Sequence, residues 1–198
     1  MALIARIRRA TCMHGLSPGE LSPAMSLVGL DVVARLAPHA PNVTPIAASA
    51  VFAGMVLRSR ALALAVPISA LLVSDLVARS YDWRIMGVVY AALALPALLA
   101  RWARARPAVV LAPLVLSSSL LFFATTNFAV WAFSGMYAHD LHGLVLCYVA
   151  ALPFLYNTVA GDALWATLLF GTWWSAKFLL APKVNFSTGG KFGLLPLR

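Results

Sequence analysis

Apolar residues fall along the chain in six long stretches, each closed by a short polar or basic interval. The first runs from Pro23 to Ala37 and is interrupted by Asp31 and Arg35. These two lie four apart, close enough on a helix to neutralise one another. Pro38, Pro41 and Pro45 then break the chain around His39, Asn42 and Thr44. A second run, Pro45 to Leu57, is the shortest and stops before Arg58 and Arg60. The third, Ala61 to Ala78, contains Pro67 and the pair Ser74-Asp75. A polar loop from Arg79 to Arg84 leads into the fourth, Ile85 to Ala100, which Arg101, Arg104 and Arg106 close. The fifth, Pro107 to Phe133, is longer, with Ser117 to Ser119 and Thr125 to Asn127 inside it. A loop holding Tyr137, His139, Asp140 and His142 precedes the last and longest block, Leu141 to Trp174.

Apolar runs of this length predict helices, and no run alternates as a half-buried strand does. At ~1.5 Å per residue the last block is too long for one perpendicular span and short for two, so a break is expected near Pro153 to Asp162. The expected fold is an all-α membrane protein, a compact bundle of about six transmembrane helices. Residues 1–20 would form a basic lead-in, 21–176 the bundle and 177–198 a basic tail. Several runs fall below the ~20 residues that span a bilayer comfortably. Two accounts are open. Helices could be broken around an internal cavity, where protein or water satisfies the freed backbone groups. Alternatively, tilted helices could cross a thin membrane.

Composition narrows the class. The chain has 198 residues, 62% of them hydrophobic and 11% charged, with a mean hydropathy of +0.88. Soluble domains carry roughly a quarter charged residues. This balance excludes an ordinary cytosolic enzyme, a disordered tail and a secreted disulfide scaffold, and leaves an integral membrane protein of one domain. The net charge of +9 would suggest nucleic acid in a soluble protein. Here the basic residues lie between apolar runs rather than in one patch, so they read as topology and headgroup contact, with no nucleic-acid partner. With the N-terminus on the cytoplasmic or matrix side, eight basic residues (Arg6, Arg8, Arg9, Arg58, Arg60, Arg101, Arg104, Arg106) face inward. Only Arg79 and Arg84 face outward across the first three outer loops. That asymmetry follows the positive-inside rule and puts the basic tail inside after six spans. The membrane is a bacterial or a mitochondrial inner membrane. The acid-free N-terminus lacks a long apolar signal core, so it reads as a cytoplasmic lead-in or an organelle-targeting segment.

Candidate chemistry rests on few polar residues. Asp75 sits near the end of the third apolar run, where a charge is costly. It is either a ligand, ion or proton site, a buried pair with Arg35, Arg79 or Arg84, or a side chain reaching to the interface. Asn127, Asn157 and Asp162 form a second polar set, suited to recognising a solute or to holding helices together. Asp162 beside Gly161 could also cap a helix starting there. Ser117 to Ser119 reads as close helix packing. His139 and His142 have i,i+3 spacing without a third ligand, so no metal is assigned. Cys12 and Cys147 match no metal pattern and are too few for a disulfide framework. Trp83, Trp102, Trp173 and Trp174 lie near run ends, as in aromatic belts. Trp131, one turn from Asn127, is a cavity candidate. No phosphate-binding glycine loop or HExxH is present, and no cofactor or enzymatic reading is made.

Several phrases together carry a family resemblance. The stretch Arg35-Leu-Ala-Pro-His39-Ala-Pro41-Asn42-Val-Thr44-Pro45 resembles the RLLPHPPNFTP opening of an uncharacterised family of small bacterial membrane proteins. Ser74-Asp75-Leu76, Ser118 to Phe123, Thr126-Asn127-Phe128 through Trp131, Cys147 to Phe154, and Asn157-Thr158 through Gly161-Asp162 match it too. The resemblance covers roughly Val33 to Gly171. That family is similar to the substrate-binding S components of energy-coupling-factor vitamin transporters, which are six-helix bundles. The resemblance implies a cavity facing the non-cytoplasmic side, with Asn42, Asp75, Asn127 and Asn157 contributing. Cobalamin-binding relatives use a cysteine to ligate cobalt, whereas the outer loop here has Ser80. The leading expectation is therefore a solute-binding membrane protein for uptake of a vitamin-like small molecule, without its own energy source. A different class competes: a non-catalytic accessory subunit of a larger membrane complex, mitochondrial or otherwise energy-transducing. Either reading implies the lipid bilayer and other membrane subunits as partners.

Overall fold

A computed structural model describes residues 18–77, 82–104, 106 and 108–180. The basic lead-in with Cys12 and His14, the loop residues Arg79 and Ser80, and the tail with Lys183, Lys191 and Arg198 lie outside the described residues. The described residues form six α-helices and no strand. They are α1 (Pro18–Leu36), α2 (Ile46–Val56), α3 (Arg60–Val77), α4 (Trp83–Ala103), α5 (Leu111–Phe133) and α6 (Leu141–Leu180). A 3-10 turn, Ala108–Val110, leads into α5.

Among the described residues four segments are long and apolar enough to cross a membrane: Arg60–Val77, Trp83–Ala103, Ala108–Phe133 and Leu141–Leu180. The expected all-helical architecture is present among the described residues, with six helices, but only four of them are long and apolar enough to be spans. Helix α1 carries Glu20, Asp31 and Arg35 in 19 residues. Helix α2 has 11 residues, ~16 Å of rise, about half a hydrocarbon thickness.

The expected break in the last block is absent. Helix α6 runs unbroken for 40 residues through Pro153, about 60 Å at α-helical rise. A proline removes one backbone bond from the ladder. In an apolar setting the flanking residues have no better partners than their own helix, so the helix continues. Asp162 is consequently mid-helix and caps nothing. The cap of α6 is Asp140, whose Oδ1 accepts from the Gly143 N–H at 2.7 Å. Asp82 does the same for α4, accepting from the Arg84 N–H at 2.8 Å.

The shortest helix is the most buried. Every residue of α2 from Ile46 to Gly54 is buried, and α2 packs against all five other helices. Helix α1 lies on α3, α3 on α4, α4 on α5 and α5 on α6, so the longer helices wrap α2. Gly54 permits the closest approach: a Cβ there would collide with the Ala97 carbonyl oxygen and Ala100 Cβ of α4. The core has two parts. Around the C-terminal half of α2, Val51 and Phe52 pack with Leu27, Leu62, Val66, Val115, Ala166 and Phe170. Phe52 meets Phe170 and Trp173 edge-on, at 5.1 and 5.8 Å between centroids. Around its N-terminal end, Ile46 and Ala47 pack with Leu71 and Leu93, with Val89, Tyr90 and Phe122 at the margin.

Buried polar residues pair differently from the spacing-based expectation. Arg35 does not neutralise Asp31. Its Nη2 donates to Asp75 Oδ1 at 2.7 Å, across to α3. Asp31 is fully buried against α2, where Oδ1 accepts from the Ser49 hydroxyl at 2.7 Å while Oδ2 has no partner among the described residues. On a helix i and i+4 side chains share a face, but the α1 face at Asp31 meets the small residues of α2, and Arg35 lies a turn nearer the polar end.

Candidate functional site

The loop between α1 and α2 shapes the site. Ala40 O accepts from the Val43 N–H at 3.1 Å, and Asn42 takes a positive φ of 65°. Pro41 then Asn42 at the centre of such a turn is the residue order a type II turn favours, since proline presets the first φ and asparagine tolerates the second. The turn carries Val43 against α6 at Gly161, where an added Cβ would lie 3.0 Å from Val43 Cα. Pro45 then starts α2 without any side-chain cap, and the first backbone bond is from Ser49 N to Pro45 O at 2.7 Å.

Below this loop is an open cavity of 380 Å³ lined by Arg35, Asn42, Thr44, Phe122, Thr158 and Asp162 among others. Its apolar floor is Ile46, Ala47, Val89, Leu93 and Phe122, the same residues that pack around the N-terminal end of α2. His39 is also on its rim, with Nδ1 2.6 Å from Ala37 O. Asp162 is 2% exposed and accepts from the Ser119 hydroxyl at 2.6 Å through Oδ2. Arg35 is held from behind: Asp75 takes one of its N–H groups and also accepts from the Tyr90 hydroxyl at 3.0 Å. The cavity thus presents guanidinium N–H donors at its rim, a carboxylate deep in its wall, and hydroxyl and amide groups between. Such a set orients a polar small molecule whose body rests on the apolar floor.

The six residues singled out from the sequence divide into four groups. Asn42 and Asp162 line the cavity. Asp75 stands behind it, as the anchor of Arg35, and is the buried pair that spacing left as one alternative. Asn127 lines an adjoining cleft of 270 Å³ with Asn42, Phe123, Thr126, Phe154 and Thr158. Its amide donates to Phe123 O at 2.8 Å within its own helix, while its backbone oxygen accepts from the Cys147 thiol at 3.4 Å. Trp131 and Asn157 are not on the wall of the main cavity. The Trp131 indole N–H donates to Ala138 O at 2.9 Å and its ring meets His139 edge-on, so it fastens the α5–α6 loop. Among the described residues no three of His, Cys, Asp and Glu come together as a metal site. Sequence reasoning passed over Thr44, Ser119, Tyr90 and Thr158 as site residues. Only the Pro41-Asn42 turn signal could have pointed to where that loop folds back.

The other end of the bundle is basic. Arg58, Arg60, Arg101, Arg104, Arg106 and Lys177 lie there, against Arg35 and Arg84 at the cavity end. The Arg101 guanidinium donates to Leu57 O and Arg58 O at 3.1 and 3.0 Å. Arg104 donates to Gly54 O at 2.9 Å and to Leu57 O. These two side chains meet the Gly54 carbonyl in the last turn of α2 and the Leu57 and Arg58 carbonyls just past it, where the helix dipole is negative.

Fold and hydropathy together define a multi-pass, all-helical membrane protein with a polar-rimmed cavity at one end. The chain belongs to a family of unknown function, DUF6580, whose model matches residues 20–184. No curated protein and no solved structure matches it.

Proposed function

We propose that the protein is a membrane-embedded solute-binding protein of S-component type, which captures a vitamin-like small molecule for uptake. The observation that carries this reading is the open 380 Å³ cavity over the N-terminal end of the buried half-length helix α2. Its volume falls in the range of small-molecule sites, ~300–1,000 Å³. Arg35 suits a carboxylate, phosphate or carbonyl oxygen of the solute, and Asp162 an amine or hydroxyl. Helices α1 and α2 bring the bundle to six helices, with α2 enclosed by the others. The basic end faces the cytoplasm or matrix by the positive-inside rule, so the cavity opens to the opposite side. Partner proteins supply the energy for release. A sealed or lipid-filled cavity would have favoured the accessory-subunit reading, and an open polar rim supports capture instead.

A metabolite panel screened by thermal shift in detergent tests this. A solute present at 100 times its Kd stabilises by about 2.7 kcal/mol, a readily measured shift. The shift should vanish in Asn42→Ala and Asp162→Asn proteins. If no solute stabilises the wild type, and the chain purifies from native membranes in fixed stoichiometry with a larger complex, the structural-subunit reading replaces this one.

A further inference from the structure

We infer that the basic end of the bundle holds a binding site for a phosphate group, that of an anionic glycerophospholipid, built from Arg60, Arg101 and Arg104 beside Trp102. These four residues and Leu98 line one cavity of 440 Å³, separate from the site above. The site is partly preorganised. Arg101 and Arg104 are fixed by the carbonyls that end α2, which leaves their remaining N–H groups in set directions. Arg60, the first residue of α3, is exposed and lines the same space.

The charges there are not balanced. Arg104 and Arg60 both repel Arg101, and the opposing charge nearby is Glu20. That carboxylate already accepts from the backbone N–H groups of Arg58 and Ser59, at 2.5 and 3.4 Å. Three guanidinium groups around one space, with one engaged carboxylate, are relieved by an oxyanion that offers several oxygens. Guanidinium forks match phosphate geometry. The rest of the lining argues for a lipid as the source. Trp102 is largely exposed, carries Arg106 over its ring at 4.5 Å, and sits where an interfacial indole belongs. Leu95, Leu98 and Leu99 on the same helix are exposed and lead from the cavity along the apolar surface, as an acyl chain would. A choline headgroup would bring its own cation among the arginines, so an anionic headgroup is selected.

Native mass spectrometry of the full chain tests this after exchange into micelles containing equal phosphatidylglycerol and phosphatidylcholine. The wild type should retain phosphatidylglycerol about tenfold over phosphatidylcholine, the ratio that ~1.4 kcal/mol gives. Arg60→Gln should bring the ratio close to one, while Arg84→Gln, exposed at the opposite end of the bundle, should leave it nearly unchanged. Inorganic phosphate added at millimolar concentration separates the sources. Displacement of the lipid by phosphate alone, with the same dependence on Arg60, would keep the phosphate site but assign it to the free ion. Equal retention of the two lipids, an Arg60→Gln protein like the wild type, or equal losses in the two variants would each overturn the proposal. Both substitutions are at exposed side chains, and an unchanged melting temperature confirms that each variant is folded.

Discussion

The Arg35–Asp75 pair offers the sharpest test of how the cavity rim is held. The two residues are 40 positions apart, on α1 and α3, and their side chains are 21% and 8% exposed. Exposed ion pairs contribute ~0–1 kcal/mol, whereas removing one partner of a buried pair costs ~3–5 kcal/mol. The burial here is unequal, and that sets the expected order. In Arg35→Gln the more buried carboxylate keeps, among the described residues, the Tyr90 hydroxyl at 3.0 Å. The cost should be about 3 kcal/mol, near the lower buried limit. In Asp75→Asn the guanidinium can turn toward the open cavity and its solvent, so about 2 kcal/mol is expected. The double variant leaves no uncompensated charge and should lose about 3 kcal/mol, giving a coupling of ~2 kcal/mol. Chemical unfolding of the four proteins in micelles, followed by tryptophan fluorescence, measures all the corners of this cycle. A coupling below about 0.5 kcal/mol would refute the reasoning, because the two sites would then be acting independently.

Gly54→Val should destabilise by ~1–3 kcal/mol and lower the melting temperature, since α4 backbone lies where the new side chain must go; a wild-type melting curve would contradict that packing. Ser119→Ala removes the hydroxyl that donates to Asp162 and should cost ~1–3 kcal/mol in the same unfolding assay. An unchanged midpoint would mean that the carboxylate has another partner. Gly161→Val pushes against Val43 and displaces the loop that carries Asn42. Solute affinity should fall at least tenfold with little change in helix content by circular dichroism, and unchanged affinity would detach the loop from the site.

Most of the helices were legible from hydropathy alone, because a long apolar run has one stable form in lipid. The polar minority was legible only in part. Asn42 and Asp162 stand out as polar residues flanking or interrupting apolar runs, and both line the cavity. Trp131 lies one turn from Asn127, yet its indole turns to the loop at Ala138, a contact that helical spacing does not encode. The partner of Arg35 was the harder case. Asp31 and Asp75 were both candidates by type, and the choice depends on which helix packs on which face of α1. Likewise, the Ser117–Ser119 run points to close helix packing, and the Ser119 hydroxyl in addition meets the Asp162 carboxylate from 43 positions away. Local pattern sets an element and its period; partners across the bundle follow from tertiary packing.

The short helix α2 links both ends of the molecule through its unsatisfied backbone groups. A helix leaves about four N–H groups and four carbonyls without internal partners, and inside an apolar bundle these need satisfaction from elsewhere. At the C-terminal end, Arg104, the C-cap of α4, meets the Gly54 carbonyl, and Arg101 from α4 meets that of the C-cap Leu57. At the N-terminal end no side chain among the described residues plays that part, and the N–H groups of Ile46, Ala47 and Ala48 precede the first intrahelical bond. Ile46 and Ala47 line the cavity, which puts this helix end within reach of water or a solute. An apolar segment too short to cross is thus not a truncated span. Its length positions a donor-bearing helix end below the rim, where Arg35 and Asn42 already gather polar groups. Lengthening α2 to full span would satisfy those N–H groups within the helix and fill the cavity, so the half-length helix and the cavity stand or fall together.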